Sequence, residues 1–231
     1  MGVERWSKVK KPLQIMKVDI IPLEDVKCHE EVIEEELQEF IKSLKAKGIF
    51  YRPILVDRNS LVVLDGHHRV EGLRRLGAKK VPAILLDYDS DDIKLYKWYP
   101  IILGDPNKVV AFLKEHAKVV DMEKDEAMSK VDAAEALFCI LPDKDGMSKI
   151  VIGGDDLLDK LEENFSMEYV DTLDFLKKLD GENGVLLYRR SRTKKEVIER
   201  AMSGEMFPPK TTRHYLPFRY QDIRIKINHL F

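Results

Sequence analysis

Leu64-Asp65-Gly66-His67-His68-Arg69-Val70-Glu71-Gly72-Leu73 is the stretch whose reading decides the fold. The apolar run Leu61-Val62-Val63-Leu64 before it reads as a buried strand, and Asp65-Gly66 is a turn signal. Val70, Leu73 and Leu76 then fall on one face of a helix, with Gly77 as its stop. A carboxylate, two imidazoles and a guanidinium therefore crowd a strand-to-helix corner. Free backbone N–H groups and the positive end of a helix dipole point at whatever binds there, which suits phosphate. Gly66 lets the backbone approach a ligand with no side chain in the way. The competing reading makes Asp65 a plain helix cap. The unbroken His-His-Arg run favours a binding site, because these are poor capping residues and useful ligand groups.

Lys17 to Leu23 reads as a first strand. Lys27-Cys28-His29-Glu30-Glu31 is expected to open a helix running to about Lys47, with Ile33, Leu37, Phe40, Ile41 and Leu44 at helical spacing and Gly48 as its stop. Pro53–Val56 and Leu61–Leu64 flank Asp57-Arg58-Asn59-Ser60, a hairpin signal. Lys80 to Tyr88 is a further strand, placed at a sheet edge because of Pro82. Residues 17–90 thus form a compact α/β unit with a mixed sheet. The charged texture of residues 118–130 puts a boundary near 105. Beyond it, helices are expected over Asn107–Ala117, Asp155–Asn164 and Asp171–Lys178. Strands are expected over Ala134–Leu141, Lys149–Ile152 and Gly184–Arg190, with a turn at Asp143-Lys144-Asp145-Gly146. Thr193-Lys194-Lys195-Glu196 is a capping box opening a helix that ends at Gly204. The chain is therefore divided into residues 1–105, a smaller α/β domain over 106–190, and a helix and basic tail over 191–231.

The chain has 231 residues and a net charge of −2, so the whole molecule is no evident nucleic-acid binder. From Arg189 onward eleven Lys/Arg face four Asp/Glu, which leaves a +7 tail on a −9 body and suggests an anionic ligand handled partly by the tail. Cys28 and Cys139 have neither metal-ligand nor disulfide-framework spacing, which fits a reducing cytoplasm. No window reaches membrane-span length, and no signal region opens the chain. With 35% charged residues and only eight Asn and Gln, the composition fits a hyperthermophile. Neither a P-loop nor a protein-kinase signature set is present. The tail segment Phe207-Pro208-Pro209-Lys210-Thr211-Thr212-Arg213-His214-Tyr215 places two hydroxyls beside Lys, Arg and His, all phosphate donors. Folded back on the N-terminal unit, it would share one cleft with the Asp65 corner.

A strand, Asp-Gly-His-His-Arg and a helix resemble the ParB-like and sulfiredoxin-like superfamily, whose members bind nucleotide phosphates at this corner. His29-Glu30, Trp98-Tyr99-Pro100 and Pro209-Lys210-Thr211-Thr212-Arg213-His214 narrow the resemblance to the archaeal free L-serine kinases of that fold. The sulfiredoxin chemistry is disfavoured, since no cysteine stands in the corner motif. The resemblance implies transfer of a phosphoryl group from ATP or ADP to free serine. The product would be O-phospho-L-serine for cysteine biosynthesis, made in a cleft between a larger and a smaller domain. It implies Glu30 as catalytic base and Asp65 as the Mg²⁺ ligand. Gly66, His67, His68, Arg69, Lys210, Thr211, Thr212, Arg213 and His214 would hold phosphates, and Trp98, with Thr212 and His214, the serine. The short Tyr51–Leu64 spacing tips the donor narrowly towards ATP. A monomer or weak homo-oligomer that binds neither nucleic acid nor membrane is expected. A ParB-like DNA-binding or nuclease-like module is the alternative, although no helix-turn-helix pair is evident.

Overall fold

The computed structural model describes residues 12–141, 147–154, 156–173 and 184–231. Along the chain the longer elements run β1 (Asp19–Pro22), α1 (Glu34–Lys47), β2 (Ile54–Asp57), β3 (Val63–Asp65), α2 (His67–Arg75), β4 (Lys80–Leu86), β5 (Lys94–Tyr96) and β6 (Tyr99–Leu103). There follow α3 (Pro106–His116), β7 (Lys118–Met122), α4 (Lys124–Asp132), β8 (Phe138–Leu141), β9 (Ser148–Ile152), α5 (Leu157–Asn164), β10 (Met167–Val170), β11 (Gly184–Arg189), α6 (Lys194–Ser203) and β12 (Arg213–Tyr215). The expected turn at 143–146 and most of the expected helix at 171–178 lie outside the described residues.

The chain divides into two units, residues 1–96 with 192–231, and residues 97–191. The change falls at Tyr96–Lys97 rather than near 105. The reason is that β6 pairs with β10 and β11 and so belongs to the second sheet. Residues 192–231 are not a third body, because α6 and β12 complete the first unit.

The first unit holds a four-stranded mixed sheet in the order β1-β4-β2-β3, in which only the β4–β2 pair is parallel. Alternate residues of its strands feed two cores. Ile54, Val56, Val81 and Ala83 pack with Val70 and Leu73 of α2 and Leu44 of α1. Leu55, Ile84 and Leu86 face the other way, towards Val197 and Ala201 of α6. A sheet covered on both faces explains why Ile54-Leu55-Val56 reads as an unbroken apolar run. Gly72 lets the two helices on the first face close up, since a Cβ there would lie 2.6 Å from the Phe40 ring.

Pro82 corrects the expected edge placement, because β4 lies inside the sheet, between β1 and β2. The ladder to β2 begins only at Ala83, so Pro82 has a strand partner on one side, Ile20, and its missing N–H breaks no bond to β2.

The second unit holds a six-stranded antiparallel sheet in the order β10-β6-β11-β8-β9-β7. Ala127 and Val131 of α4 pack with Ile101, Cys139 and Leu186, while Val109, Leu113 and Leu161 of α3 and α5 pack with Ile102, Phe138 and Leu187. At its entry Lys97 is buried, with its ammonium 3.5 Å from the Tyr188 ring centroid. That ammonium donates to the Arg189 carbonyl and lies 3.8 Å from Asp132.

Candidate active site

The corner forms as its sequence dictates. β3 ends at Asp65, α2 starts at His67, and Gly66 turns between them at φ +116°. A Cβ on Gly66 would lie 2.8 Å from Nε and Nη2 of Arg69 and 2.8 Å from Ile54, so the glycine seats the arginine as well as turning the chain. Asp65 does not cap α2, whose N-cap is Gly66 without a side-chain bond. Its Oδ2 instead lies 2.8 Å from Arg69 Nη2 and accepts the Tyr220 hydroxyl at 2.7 Å. Burial pushes the Asp65 carboxyl up, but Arg69 and Tyr220 outweigh it and hold it below the usual carboxylate range. Among the described residues, Oδ1 of Asp65 has no partner, and neither has the buried Nε of Arg69.

Glu30 is placed differently from expectation. Helix α1 begins at Glu34, so Glu30 lies in the extended segment before it and not in its first turn. The segment forms a parallel bridge with Phe207 of the tail, in which Phe207 N–H donates to the His29 carbonyl and Glu31 N–H to the Phe207 carbonyl. In an extended chain neighbouring side chains point to opposite sides. Glu30 is accordingly buried and Glu31 exposed. The carboxylate of Glu30 draws the tail in. Oε1 accepts Lys210 N–H at 2.9 Å, and Oε2 accepts both the Thr212 N–H at 2.8 Å and its hydroxyl at 2.7 Å. Backbone donors, not a helix dipole, thus surround the ionised form. Lys210 takes φ +56°, a left-handed conformation that is strained for a lysine and turns its N–H onto Glu30.

A histidine cluster sits beside Glu30. His29 is fully buried, its Nε2 2.9 Å from the Thr212 hydroxyl and its Nδ1 3.3 Å from Nε2 of His67. His214, on β12, lies 2.7 Å from the Tyr88 hydroxyl through its Nε2. Burial lowers His29 to about 4, the Val63 carbonyl offsetting only a part, and lowers His214 to about 3. Burial and then the neighbouring His29, His214 and His68 hold His67 well below the ordinary value. All three are neutral imidazoles near pH 7.

The remaining expected residues spread around this centre. His68 turns towards α1, its Nε2 accepting Ile33 N–H at 3.1 Å and lying 3.5 Å from Glu36. Lys210 Nζ also meets Glu36, at 3.1 Å. The buried Thr211 donates its hydroxyl to the Pro208 carbonyl at 2.8 Å. Arg213 is half-buried on β12, opposite Tyr96 of β5. Trp98 belongs to the other unit, half-buried just before β6. Sequence reasoning gave no role to His29, Tyr88 or Tyr220. Adjacency to Glu30 was the only signal for His29, and the tyrosines, which stand outside the quoted motifs, carried none.

Residues 4–96 match the ParB N-terminal domain family. Over the whole of both chains, the protein is 36% identical to an ADP-dependent L-serine kinase from Thermococcus kodakarensis. It is 30% identical to an ATP-dependent L-serine kinase from Staphylothermus marinus, over 90% of this chain and 88% of that one. A solved free serine kinase in complex with AMP superposes with TM-score 0.84 at 36% identity over all of both chains. A glutamate-to-alanine variant of a free serine kinase in complex with ADP superposes with TM-score 0.83 at 35% identity, over 97% of this chain and 98% of that one. The chain belongs to the family of archaeal L-serine kinases. Among the described residues no helix is long and apolar enough to cross a membrane.

Proposed function

We propose that the protein phosphorylates free L-serine, with ADP as the preferred donor. The observation that carries this reading is the end-to-end identity with the ADP-dependent kinase, which exceeds that with the ATP-dependent one in both degree and coverage. It reverses the narrow lean to ATP that the Tyr51–Leu64 spacing suggested.

In the reaction the β-phosphorus of ADP gains a bond to serine Oγ and loses its bond to the bridging oxygen. AMP leaves, and the serine proton passes to Glu30. Such transfers depend on positioning and charge neutralisation more than on covalent help. Glu30 is the base: its carboxylate is held by hydrogen-bond donors, which favour the charged form that accepts a hydroxyl proton. Gly66 and the first N–H groups of α2, with Arg69, take the donor phosphates. His67 and His214, which both stand beside His29, and Lys210, whose N–H meets Glu30, belong to the same unit as this corner.

A divalent cation fits Asp65, whose Oδ1 has no partner among the described residues while Oδ2 is held by Arg69 and Tyr220. No group of three or more His, Cys, Asp or Glu forms a protein cage among the described residues. One carboxylate completed by substrate phosphates suits Mg²⁺. When bound, it would neutralise charge on the transferring phosphoryl group.

Incubation with L-serine, Mg²⁺ and either ADP or ATP tests the proposal. O-phospho-L-serine is expected with both donors, and faster from ADP with stoichiometric AMP. Absence of O-phospho-L-serine with both donors would overturn the kinase reading. A higher kcat/KM with ATP would overturn the donor assignment alone.

A further inference from the structure

The contact between His29 and Thr212 takes its direction from the carboxylate that shares the hydroxyl. A carboxylate has no proton to donate, so the 2.7 Å contact between Thr212 Oγ1 and Glu30 Oε2 uses the single proton of the hydroxyl. Thr212 Oγ1 can then meet His29 Nε2 at 2.9 Å only as an acceptor, which requires the proton of the neutral imidazole to sit on Nε2. With the proton on Nε2, despite the Val63 carbonyl as a competing acceptor for it, Nδ1 is left as an acceptor that faces His67 Nε2 at 3.3 Å. The chain of donors runs one way, from His67 to His29 to Thr212 to Glu30.

We propose that His29 is a positioning residue for phosphoryl transfer, which locks the Thr212 hydroxyl as a donor to Glu30 and so favours the carboxylate over the carboxylic acid. This rests on the reading of Glu30 as base. The carboxylate accepts the Lys210 N–H, the Thr212 N–H and the Thr212 hydroxyl. The two N–H groups can never accept. Among these donors only the hydroxyl could turn to accept a proton from a protonated Glu30, and His29 opposes this by occupying its acceptor side. A base that cannot be comfortably solvated in its protonated form remains ionised at lower pH and gives its proton up quickly. The titratable or charged groups around these residues include His67, His68 and Arg69 of α2, Asp65 at the end of β3, His214 of β12 with Tyr88 and Lys194 beside it, and Lys210 with Glu36 of α1. The imidazole pKa shifts keep His29 neutral, so its contribution is directional and carries no formal charge.

Two measurements test the proposal. Long-range ¹H–¹⁵N correlation of the ring nitrogens, with His29 assigned by loss of its signals in a variant, should show the Nε2–H tautomer near pH 7. An Nδ1–H tautomer would overturn the proposal whatever the kinetics. The second is the pH profile of kcat/KM with ADP and serine. In His29→Leu and Thr212→Val the acidic limb should move up by about one pH unit, the worth of one hydrogen bond to the charged form. His29→Gln keeps an N–H near the Nε2 position and Thr212→Ser keeps the hydroxyl, so both should restore the parent limb. Substitutions that merely loosen the fold would lower kcat without moving the limb, and that result would refute the role. Glu30→Gln separates the two readings. If it is inactive while the limb stays fixed in His29→Leu and Thr212→Val, the base stands and this proposal falls. If it keeps parent activity, both fall.

Discussion

Replacing Gly66 by alanine tests whether the corner works through its geometry. At φ +116° an L-residue is strained, at a cost of about 1–2 kcal/mol. The new Cβ would also sit 2.8 Å from two guanidinium nitrogens of Arg69 and from Cγ2 of Ile54, a buried strand residue with no room to retreat. Overpacking of this kind costs about 1–3 kcal/mol. Together these give roughly 2–5 kcal/mol, or a fall in Tm of about 4–20 °C for a chain of this size. The Arg69 end can give way more easily than Ile54, and as it does it leaves Asp65. ADP affinity should therefore fall along with Tm, by tenfold or more. Differential scanning calorimetry and calorimetric ADP titration read the two effects. An alanine variant with parent Tm and parent ADP affinity would refute the idea that Gly66 seats Arg69.

Glu30→Gln should lower kcat by about 10²–10⁴-fold, the usual worth of a positioned base, whereas Glu31→Gln, exposed and turned away, should stay within a few-fold of the parent in the same assay. The glutamine can present an oxygen to Thr212 only by turning its amide towards Lys210 N–H, so a loss of about 1–3 kcal/mol in denaturant titration should accompany the loss of rate. Asp65→Asn should abolish most Mg²⁺-dependent turnover. It should also cost about 1–3 kcal/mol of stability, because Arg69 and Tyr220 both lean on the carboxylate. Burial pushes the Lys97 ammonium down to about 8. From pH 8 to about 10.4 the unfolded chain binds the proton that the folded chain has released, so Lys97 makes stability rise with pH across that window. Lys97→Met should remove that rise, measured as the parent-minus-variant difference in unfolding free energy.

The parts of the site carried by one short stretch were legible in the sequence. Asp65-Gly66-His67 declared a strand, a turn and a helix start, and the structure builds all three. The Thr193–Glu196 capping box and the Gly204 stop were equally local, and both form. What failed depended on partners far along the chain. The acids after His29 read as a helix opening because they resemble a first turn. Phe207 bridges that segment instead and keeps it extended. Pro82 read as an edge signal because the pattern could not show that β2 begins one residue later in register. The burial of His29, and the reach of Tyr220 to Asp65 across 155 positions, are tertiary facts with no local signature.

The second unit is inserted between the two halves of the first, so Glu30 and its tail partners are separated by about 180 residues of chain. A ribosome makes the phosphate corner early and the tail only after the whole insertion. Until residues 207–212 emerge, Glu30 lacks the hydrogen bonds described above. Contacts so distant along the chain form late, because the intervening loop must close first. A nascent chain thus has the residues of its first-unit sheet before those of the tail that meets Glu30, and on the proposed mechanism the base is set only by a contact made across the whole insertion.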